Sequence, residues 1–266
     1  MPGWTSIQLL RHQGYQGGVI MSKLKVAFFD FACCEGCQLQ VYNLEEEILD
    51  LLELIEPVEW REAMTDQSDD YDVAIIEGSI TRIEDEKRVK AIRGNAKILI
   101  ALGACATIGG VNKIKNNFEM QDVRECVYGK DADMPHLDTY PTKAVNEVVK
   151  VDYMVHGCPI NIKEFSYFVR SLAIGKEPKI PNYPVCVECK MKENVCRYEY
   201  DEICLGPIIR AGCDAKCPSG GMWCFCCRGY IDDPNVNAAR DVMAEYGKTI
   251  DDLRGKMLLF GSKQEF

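Results

Sequence analysis

The cysteines of this chain occupy two contrasting settings, and this arrangement limits the folds that it can adopt. Four of the fifteen come just after apolar, strand-like runs in the first 160 residues: Cys34, Cys37, Cys105 and Cys158. Residues 186–227 hold nine more, eight of them candidate ligands, and in this segment glycine and proline are frequent and hydrophobic periodicity is weak. The contrast predicts a folded sheet with one cysteine site at its edge, followed by an irregular segment with further sites.

Composition and charge exclude several classes of protein. With 266 residues, of which 47% are hydrophobic, the chain can form a substantial core. A net charge of −10 without any run rich in Lys and Arg argues against nucleic acid as a partner. The longest apolar runs are strand-sized, shorter than the roughly 18 residues of a membrane span, so no membrane span is predicted.

The cysteines are not expected to form disulfides. Their number is odd, and residues 1–20 have neither the apolar stretch of a secretory signal nor a twin-arginine pair. These features predict a cytoplasmic location, where cysteines more often bind metal than pair with one another. Met21 opens a more ordinary start, so residues 1–21 are expected to be a disordered extension or a start-site artefact.

The first part of the chain alternates strand and helix signals. Buried strands are predicted at 24–31, 72–78, 96–103 and 151–157, and helices at 38–55, at 84–93 and from 161 to about 174. Pro57 is expected to end the first helix, and Asn161 with Glu164 resembles a capping box that opens the last one. Apolar strands alternating with helices predict a doubly wound, flavodoxin-like parallel sheet, an α/β domain over residues 22–176.

From about Lys176 this pattern stops. Residues 177–184 hold three prolines and predict a linker. Residues 177–266 are expected to form an irregular, cysteine-rich iron–sulfur domain, with one or two short helices over 235–254. The cysteine-rich segment looks too irregular to fold around an apolar core alone, and metal coordination could supply part of its folding free energy.

The four cysteines that follow strands are expected to meet. Loops that follow parallel strands gather at one edge of the sheet, where doubly wound folds bind ligands. Four thiolates there suit a [4Fe–4S] cluster, and neighbouring glycines let the backbone approach it closely: residues 36, 103, 109, 110 and 157. A redox dithiol, a structural zinc ion and ordinary buried cysteines are the alternatives.

Four short segments carry a resemblance to a known family. The segments CCEGCQLQ (33–40), IIEGS (75–79), GACATIGG (103–110) and HGCP (156–159), in this order, resemble the small subunit of [NiFe] hydrogenases. The resemblance implies that the four matching cysteines, Cys34, Cys37, Cys105 and Cys158, bind the proximal [4Fe–4S] cluster. It also implies a separate large subunit that holds the Ni–Fe centre.

One departure from the family concerns proton transfer. Many members have a glutamate just before the first ligand, whereas this chain has Cys33 there. Glu35, a group on the partner or another path would have to serve instead. Glu77 matches the family's E-G motif, and a structural role as a buried hydrogen-bond acceptor is favoured over a proton relay.

The tail has enough cysteines for two more clusters, although two Cys₄ zinc sites fit the spacing equally well. Residues 186–229 are similar to the tail of cytoplasmic (group 3) hydrogenase small subunits, which implies a distal and a medial [4Fe–4S] cluster. We assign Cys186, Cys189 and Cys196 to the distal cluster, and Cys204, Cys224 and Cys227 to the medial one. Cys213 and Cys217 supply one ligand each. The Cys217-Pro pair resembles a ferredoxin ligand that crosses to the other cluster, and this favours Cys217 as distal and Cys213 as medial.

The remaining candidates carry no catalytic set. Cys33, Cys126 and Cys226 are left over, and His12, His136 and His156 do not form a catalytic group. His156 is expected to be a satisfied structural histidine, with donation to a cluster sulfide as the alternative. No flavin is expected, because a cluster would occupy the edge of the sheet where a flavin binds.

The resemblance implies a cytoplasmic hydrogenase subunit that relays electrons through three [4Fe–4S] clusters. The expected partners are the large subunit and an electron acceptor: a flavin subunit using NAD(P), or a ferredoxin-linked or heterodisulfide-reductase assembly. The first rival is a complex I-like quinone-reductase subunit, which has one cluster and no eight-cysteine tail. The second rival is a stand-alone ferredoxin-like or zinc-binding module.

Overall fold

The structure, a computed structural model, describes residues 15–16, 19–20, 23–130, 138 and 140–260. Most of the expected extension 1–21 lies outside these residues, as do His12 and His136. Within the extension, Tyr15–Gln16 (β1) and Val19–Ile20 (β2) pair as antiparallel strands.

Five parallel strands form the central sheet of the described residues. They are β3 (Leu24–Asp30), β4 (Ile55–Trp60), β5 (Val73–Glu77), β6 (Ile98–Leu102) and β7 (Tyr153–Val155). Their spatial order is β4-β3-β5-β6-β7, which is the flavodoxin-like order 2-1-3-4-5 when the strands are counted from β3. The predicted doubly wound α/β fold is therefore confirmed.

Ten α-helices surround the sheet and build the tail in the described part of the chain. Those of the sheet domain are α1 (Gly36–Tyr42), α2 (Glu47–Leu54), α3 (Ile83–Asn95), α4 (Gly103–Ile108), α5 (Met120–Tyr128) and α6 (Ile162–Ala173). Those of the tail are α7 (Val185–Met191), α8 (Lys216–Ser219), α9 (Val236–Glu245) and α10 (Ile250–Met257). The last two agree with the short helices predicted over 235–254.

Both faces of the sheet are buried, as the continuous apolar strands predict. Along β3, Val26 and Phe28 pack into the core beneath α1, α2 and α6, whereas Ala27 and Phe29 pack on the opposite face against residues of α3. Successive side chains of a strand point to opposite faces, so one apolar run serves two cores.

The edge strand β4 was not predicted. The sequence suggested a helix over 38–55 that ends at Pro57, but helices α1 and α2 end at Tyr42 and Leu54, and Pro57 lies inside β4. Proline is tolerated there because β4 is an edge strand and pairs only with β3. Trp60 at the end of β4 stacks between Phe28 and Tyr42, with ring centroids 4.2 and 4.8 Å away.

The predicted helix α6 is present, but only Asn161 of the expected capping pair caps it. The Asn161 side chain accepts a hydrogen bond from the Lys163 N–H at 3.0 Å, as an N-cap should. Glu164 instead accepts two hydrogen bonds from Arg228 of the tail, at 2.9 and 2.7 Å. The side chain expected to close a local cap thus joins two parts of the chain.

The tail has an apolar core of its own, which the irregular sequence did not indicate. Leu205, Ile208 and Ile209 pack with Met243 of α9 and Met257 of α10. Cys204, Cys224 and Cys226 belong to the same buried cluster. The core of the tail and its cysteine sites therefore share residues.

Replacing Trp60 with alanine should destabilise the chain. Trp60 is buried and fills the space between β3 and α1, so its loss leaves a cavity and should cost about 3–5 kcal/mol of unfolding free energy. Anaerobic denaturant unfolding measures this cost. The matched control is Leu49→Ala in α2, a side chain that is 65% exposed and should change stability by less than about 0.5 kcal/mol. Equal effects of the two substitutions would contradict the packing role of β4.

Candidate iron–sulfur sites

The carboxyl edge of the sheet gathers the first four candidate cysteines. Cys34 and Cys37 follow β3, Cys105 lies in α4 directly after β6, and Cys158 follows β7. The Ala104 N–H donates a hydrogen bond of 2.6 Å to the Gly157 carbonyl, which ties the loops after β6 and β7 together. The expected meeting of these loops is therefore what the structure shows.

The four thiols lie close enough to oppose one another's ionisation. Burial, and then the neighbouring Cys158 and Cys34 thiols, raise the pKa of Cys105 to about 12. Burial and then Cys34 raise the pKa of Cys158, and burial is the largest of several effects that raise the pKa of Cys37. An approaching cation would relieve this opposition, because a metal-bound thiol is deprotonated.

Glycines line the same space. A Cβ at Gly103, which has a φ of +81°, would collide with Cys37 Sγ. A Cβ at Gly36 would lie 3.3 Å from Cys34 Sγ, and one at Gly110 would lie 3.0 Å from Cys105 Sγ. Backbone therefore approaches three of the four sulfur atoms where a side chain would crowd them.

Glu77 holds the start of α1 beside this site. Its carboxylate is buried at the end of β5 and accepts hydrogen bonds from the N–H groups of Cys37 and Gln38, both at 3.0 Å. Burial is the largest effect on this carboxyl and raises its pKa, while the two N–H donors act in the opposite direction. The contacts support the structural role favoured from the sequence.

Cys33, the leftover cysteine beside the first ligand, also lies near this site. It is half-buried, and burial followed by the Glu77 carboxylate raises its pKa to about 12, with a smaller contribution from Cys105.

His156 lies in the loop after β7, beside Cys158. Burial and then the charges of Arg210 and Arg228 lower the pKa of His156 to about 3, so the ring is neutral at physiological pH. His156 Nδ1 has no hydrogen-bond partner among the described residues, so this histidine is not the satisfied one that was expected.

Four tail cysteines form a second group. Burial, and then Cys204, Cys189 and Cys196, raise the pKa of Cys186 to about 12. A Cβ at Gly206 would lie 3.1 Å from Cys186 Sγ and 3.5 Å from Cys204 Sγ. The structure thus brings Cys204 next to the three cysteines expected for the distal site, although the sequence placed Cys204 in the medial one.

Four of the five remaining tail cysteines, all but Cys226, form a third group between the second group and the sheet. Burial first raises the pKa of Cys227 to about 12, and the Cys213, Cys217 and Cys158 thiols act in the same direction. Burial and then the Cys204 thiol raise the pKa of Cys224, with Cys227 contributing less. The Cys224 N–H donates to Cys204 Sγ at 3.2 Å, so the second and third groups touch.

Three tail residues that support these groups were not predicted. Glu188 accepts hydrogen bonds from the Gly212 and Ala215 N–H groups at 2.8 and 3.0 Å, and so shapes the loop that carries Cys213. Asn194 Nδ2 lies 3.7 Å from Cys189 Sγ. Arg228 bonds to Glu164. A carboxylate inside Cys186-x-x-Cys189 and an arginine directly after Cys227 were the available signals.

The donor set fits iron–sulfur clusters. Each group offers four thiols, and several sulfur atoms accept backbone N–H bonds: Cys37 from Ile160, Cys204 from Cys224 and Gly206, Cys213 from Ala215 and Lys216, and Cys227 from Cys158. Such bonds tune cluster potentials. No three His, Cys, Asp or Glu side chains of the described residues converge on the position of one ion.

Comparisons with known proteins identify the family. Residues 34–172 match the family described as NADH ubiquinone oxidoreductase, 20 Kd subunit. The delta subunit of sulfhydrogenase 2 from Pyrococcus furiosus is 36% identical over 84% of this chain and 93% of its own length. A subunit of the F420-non-reducing hydrogenase vhu from Methanocaldococcus jannaschii is 32% identical over 91% of this chain and 94% of its own length.

The chain belongs to the family of [NiFe] hydrogenase small subunits. A solved structure of an NAD+-reducing [NiFe]-hydrogenase in the H2-reduced state agrees with this, since one of its chains is 27% identical, has a TM-score of 0.56, and is matched over 60% of this chain and 96% of its own length. The hydrogenase subunit is thus part of an oxidoreductase that acts on hydrogen. No helix within the described residues has the length and apolar character needed to cross a membrane.

The tail separates this hydrogenase subunit from the complex I-like rival. The family match ends at residue 172, before the nine cysteines of the tail. The two hydrogenase relatives match 84% and 91% of the chain, which extends the similarity beyond the family match.

A methyl group at Gly103 should damage the sheet-edge site. Gly103→Ala forces a Cβ against Cys37 Sγ at a backbone conformation that alanine rarely adopts, so iron bound per chain and thermal stability should both fall. The matched control is Gly94→Ala in helix α3, where a Cβ meets no atom within 4 Å and should stabilise by about 0.5–1 kcal/mol. If Gly103→Ala retained the iron content and stability of the parent chain, the backbone would not lie where the structure puts it.

Proposed function

We propose that this chain is the electron-transferring small subunit of a cytoplasmic [NiFe] hydrogenase, and that it carries three [4Fe–4S] clusters. The observation that carries the proposal is the row of three four-thiol groups, from the sheet edge into the tail. Neighbouring groups touch, since the Cys158 N–H donates to Cys227 Sγ and the Cys224 N–H donates to Cys204 Sγ. Such a row suits the passage of electrons across the subunit.

The proposed proximal ligands are Cys34, Cys37, Cys105 and Cys158. Cys34 and Cys158 are exposed on their face of the chain, which suits coverage by the large subunit that holds the Ni–Fe site. The bound clusters would supply reversible one-electron storage, while the chain fixes the thiols and directs N–H groups at them.

For the tail we propose a partition that differs from the one expected from spacing. The contacts support Cys186, Cys189, Cys196 and Cys204 as distal ligands, and Cys213, Cys217, Cys224 and Cys227 as medial ligands. Cys204 and Cys217 thus exchange places relative to the sequence-based assignment. A Cys-Pro pair crosses between clusters in ferredoxins, but here Cys217 is a neighbour of Cys213 and Cys227.

The electron acceptor is proposed from chemistry and from relatives. A flavin subunit that uses NAD(P), a ferredoxin-linked assembly or a heterodisulfide-reductase assembly could accept electrons from the distal site. One related structure is named an NAD+-reducing hydrogenase and another relative an F420-non-reducing one, so the names support NAD+ as a candidate acceptor and do not support F420.

An anaerobic iron and sulfide assay tests the proposed function. Three cubane clusters predict about twelve iron atoms and about twelve sulfides per chain, with EPR signals of reduced [4Fe–4S] clusters. About four iron atoms would favour the complex I-like alternative, and zinc without iron would favour a structural module. Either of these results contradicts the proposal.

Paired substitutions test the partition of the tail cysteines. If Cys186 and Cys204 bind one cluster, Cys186→Ala with Cys204→Ala should remove only that cluster and leave about eight iron atoms. Cys186→Ala with Cys217→Ala should disturb two clusters and leave about four. The sequence-based assignment predicts the reverse for the two double variants, so iron counts with EPR of both decide between the assignments.

A further inference from the structure

Arg228 is a buried charge at the junction of the sheet domain and the tail. Its side chain is 1% exposed, and its guanidinium forms a bidentate pair with Glu164 of helix α6, at 2.9 and 2.7 Å. Arg228 Nε also donates to the Ala211 carbonyl at 2.7 Å. A buried arginine without such partners would be strongly unfavourable, so the surrounding structure is built around this charge.

The same guanidinium reaches both neighbouring cysteine groups. Arg228 directly follows Cys227, and its Nη1 donates to the carbonyl of His156, two residues before Cys158. Close to the Arg228–His156 hydrogen bond, the Cys158 N–H donates to Cys227 Sγ. One side chain thus ties the loop that carries Cys158 to the segment that carries Cys227.

The backbone at Gly212 packs closely against the Arg228–Glu164 pair. Gly212 has a φ of +109°, and a Cβ there would collide with the Arg228 guanidinium and lie 2.7 Å from Glu164 Oε1. The Gly212 carbonyl accepts a hydrogen bond of 2.8 Å from Asn161, the N-cap residue of α6. The loop that leads into Cys213 therefore packs directly on the Arg228–Glu164 pair.

From this geometry we propose that Arg228, oriented by Glu164, is a positioning residue that fixes the contact between the Cys158 loop and Cys227. It thereby sets the electronic coupling between the cofactors bound at the sheet edge and at the adjacent tail site. The proposal rests on the proposed function, since it requires clusters at both sites. It goes further by assigning to the Arg228–Glu164 salt bridge a role in electron transfer between two cluster sites.

The test uses Arg228→Lys in the assembled hydrogenase. Lysine keeps the positive charge but cannot bond Glu164 and the His156 carbonyl in the same planar arrangement. The iron content should stay at about twelve atoms per chain, while the EPR interaction between the proximal and medial signals should weaken. Hydrogen-dependent dye reduction should fall about tenfold or more, whereas hydrogen–water isotope exchange, which needs no electron transfer through this chain, should be unchanged.

Arg197→Lys is the matched control. Arg197 also follows a tail cysteine and forms a bidentate pair, with Glu202 at 2.9 and 2.8 Å, but its partner lies five residues away within the tail. This variant should retain both the EPR interaction and the rate of dye reduction. Glu164→Gln is the second test variant, and it decides the matter if Arg228→Lys does not retain iron.

Two results would overturn the proposal. The first is an unchanged EPR interaction and dye reduction in an iron-replete Arg228→Lys or Glu164→Gln variant. The second is loss of medial iron in both variants with an unaltered proximal signal, because Arg228 would then only support the tail. A parent chain that holds no clusters would instead overturn the proposed function, so the two failures are distinguishable.

Discussion

The parallel direction of all five strands is the constraint on which the sites depend. Because β3, β6 and β7 run the same way, the loops that follow them end at one edge of the sheet. Cysteines far apart in the sequence, such as Cys34 and Cys158, become neighbours without any local sequence motif to join them. An antiparallel neighbour in this set would send one of the loops to the opposite edge.

Burial makes the thiols of these sites poor acids on their own. The pKa values of Cys105, Cys186 and Cys227 are raised to about 12, chiefly by burial. Thiols in such surroundings stay protonated near neutral pH, and a cationic cofactor has to displace the protons as it binds. Cluster binding and folding are then linked, most closely in the tail, where Cys204 and Cys224 are also part of the apolar core.

The sheet and its cysteine edge were predictable from the sequence because both rest on local patterns. Continuous apolar runs indicated four of the five central strands, and cysteines placed after them indicated the first group of thiols. Strand β4 was missed because a proline is compatible with two structures: it can follow the end of a helix, and it is also tolerated in an edge strand, where Pro57 lies. The tail was harder, since its core is assembled from residues without helical or strand periodicity, such as Leu205 and Ile208.

The tail cysteines show where spacing stops being informative. Cys204 and Cys213 are close in the sequence, yet the chain turns between them so that Gly206 packs on Cys186 and Cys204, while Cys213 faces Cys217 and Cys227. Two side chains hold the 211–215 loop in this arrangement. Glu188, which precedes the loop in the sequence, accepts hydrogen bonds from two of its N–H groups, and Arg228, which follows it, donates to the Ala211 carbonyl. Neither contact follows from a motif, because each joins side chains to a loop that has no regular structure.

A buried ion pair is a weak source of stability, since the loss of hydration offsets most of the attraction between the charges. The position of Arg228 and Glu164 is therefore better explained by specificity than by folding free energy. An apolar pair of the same volume could join α6 to the tail, but it could not also bond the carbonyls of His156 and Ala211. Directional hydrogen bonds fix a relative position in a way that apolar packing does not, and that position brings the Cys158 N–H onto Cys227 Sγ.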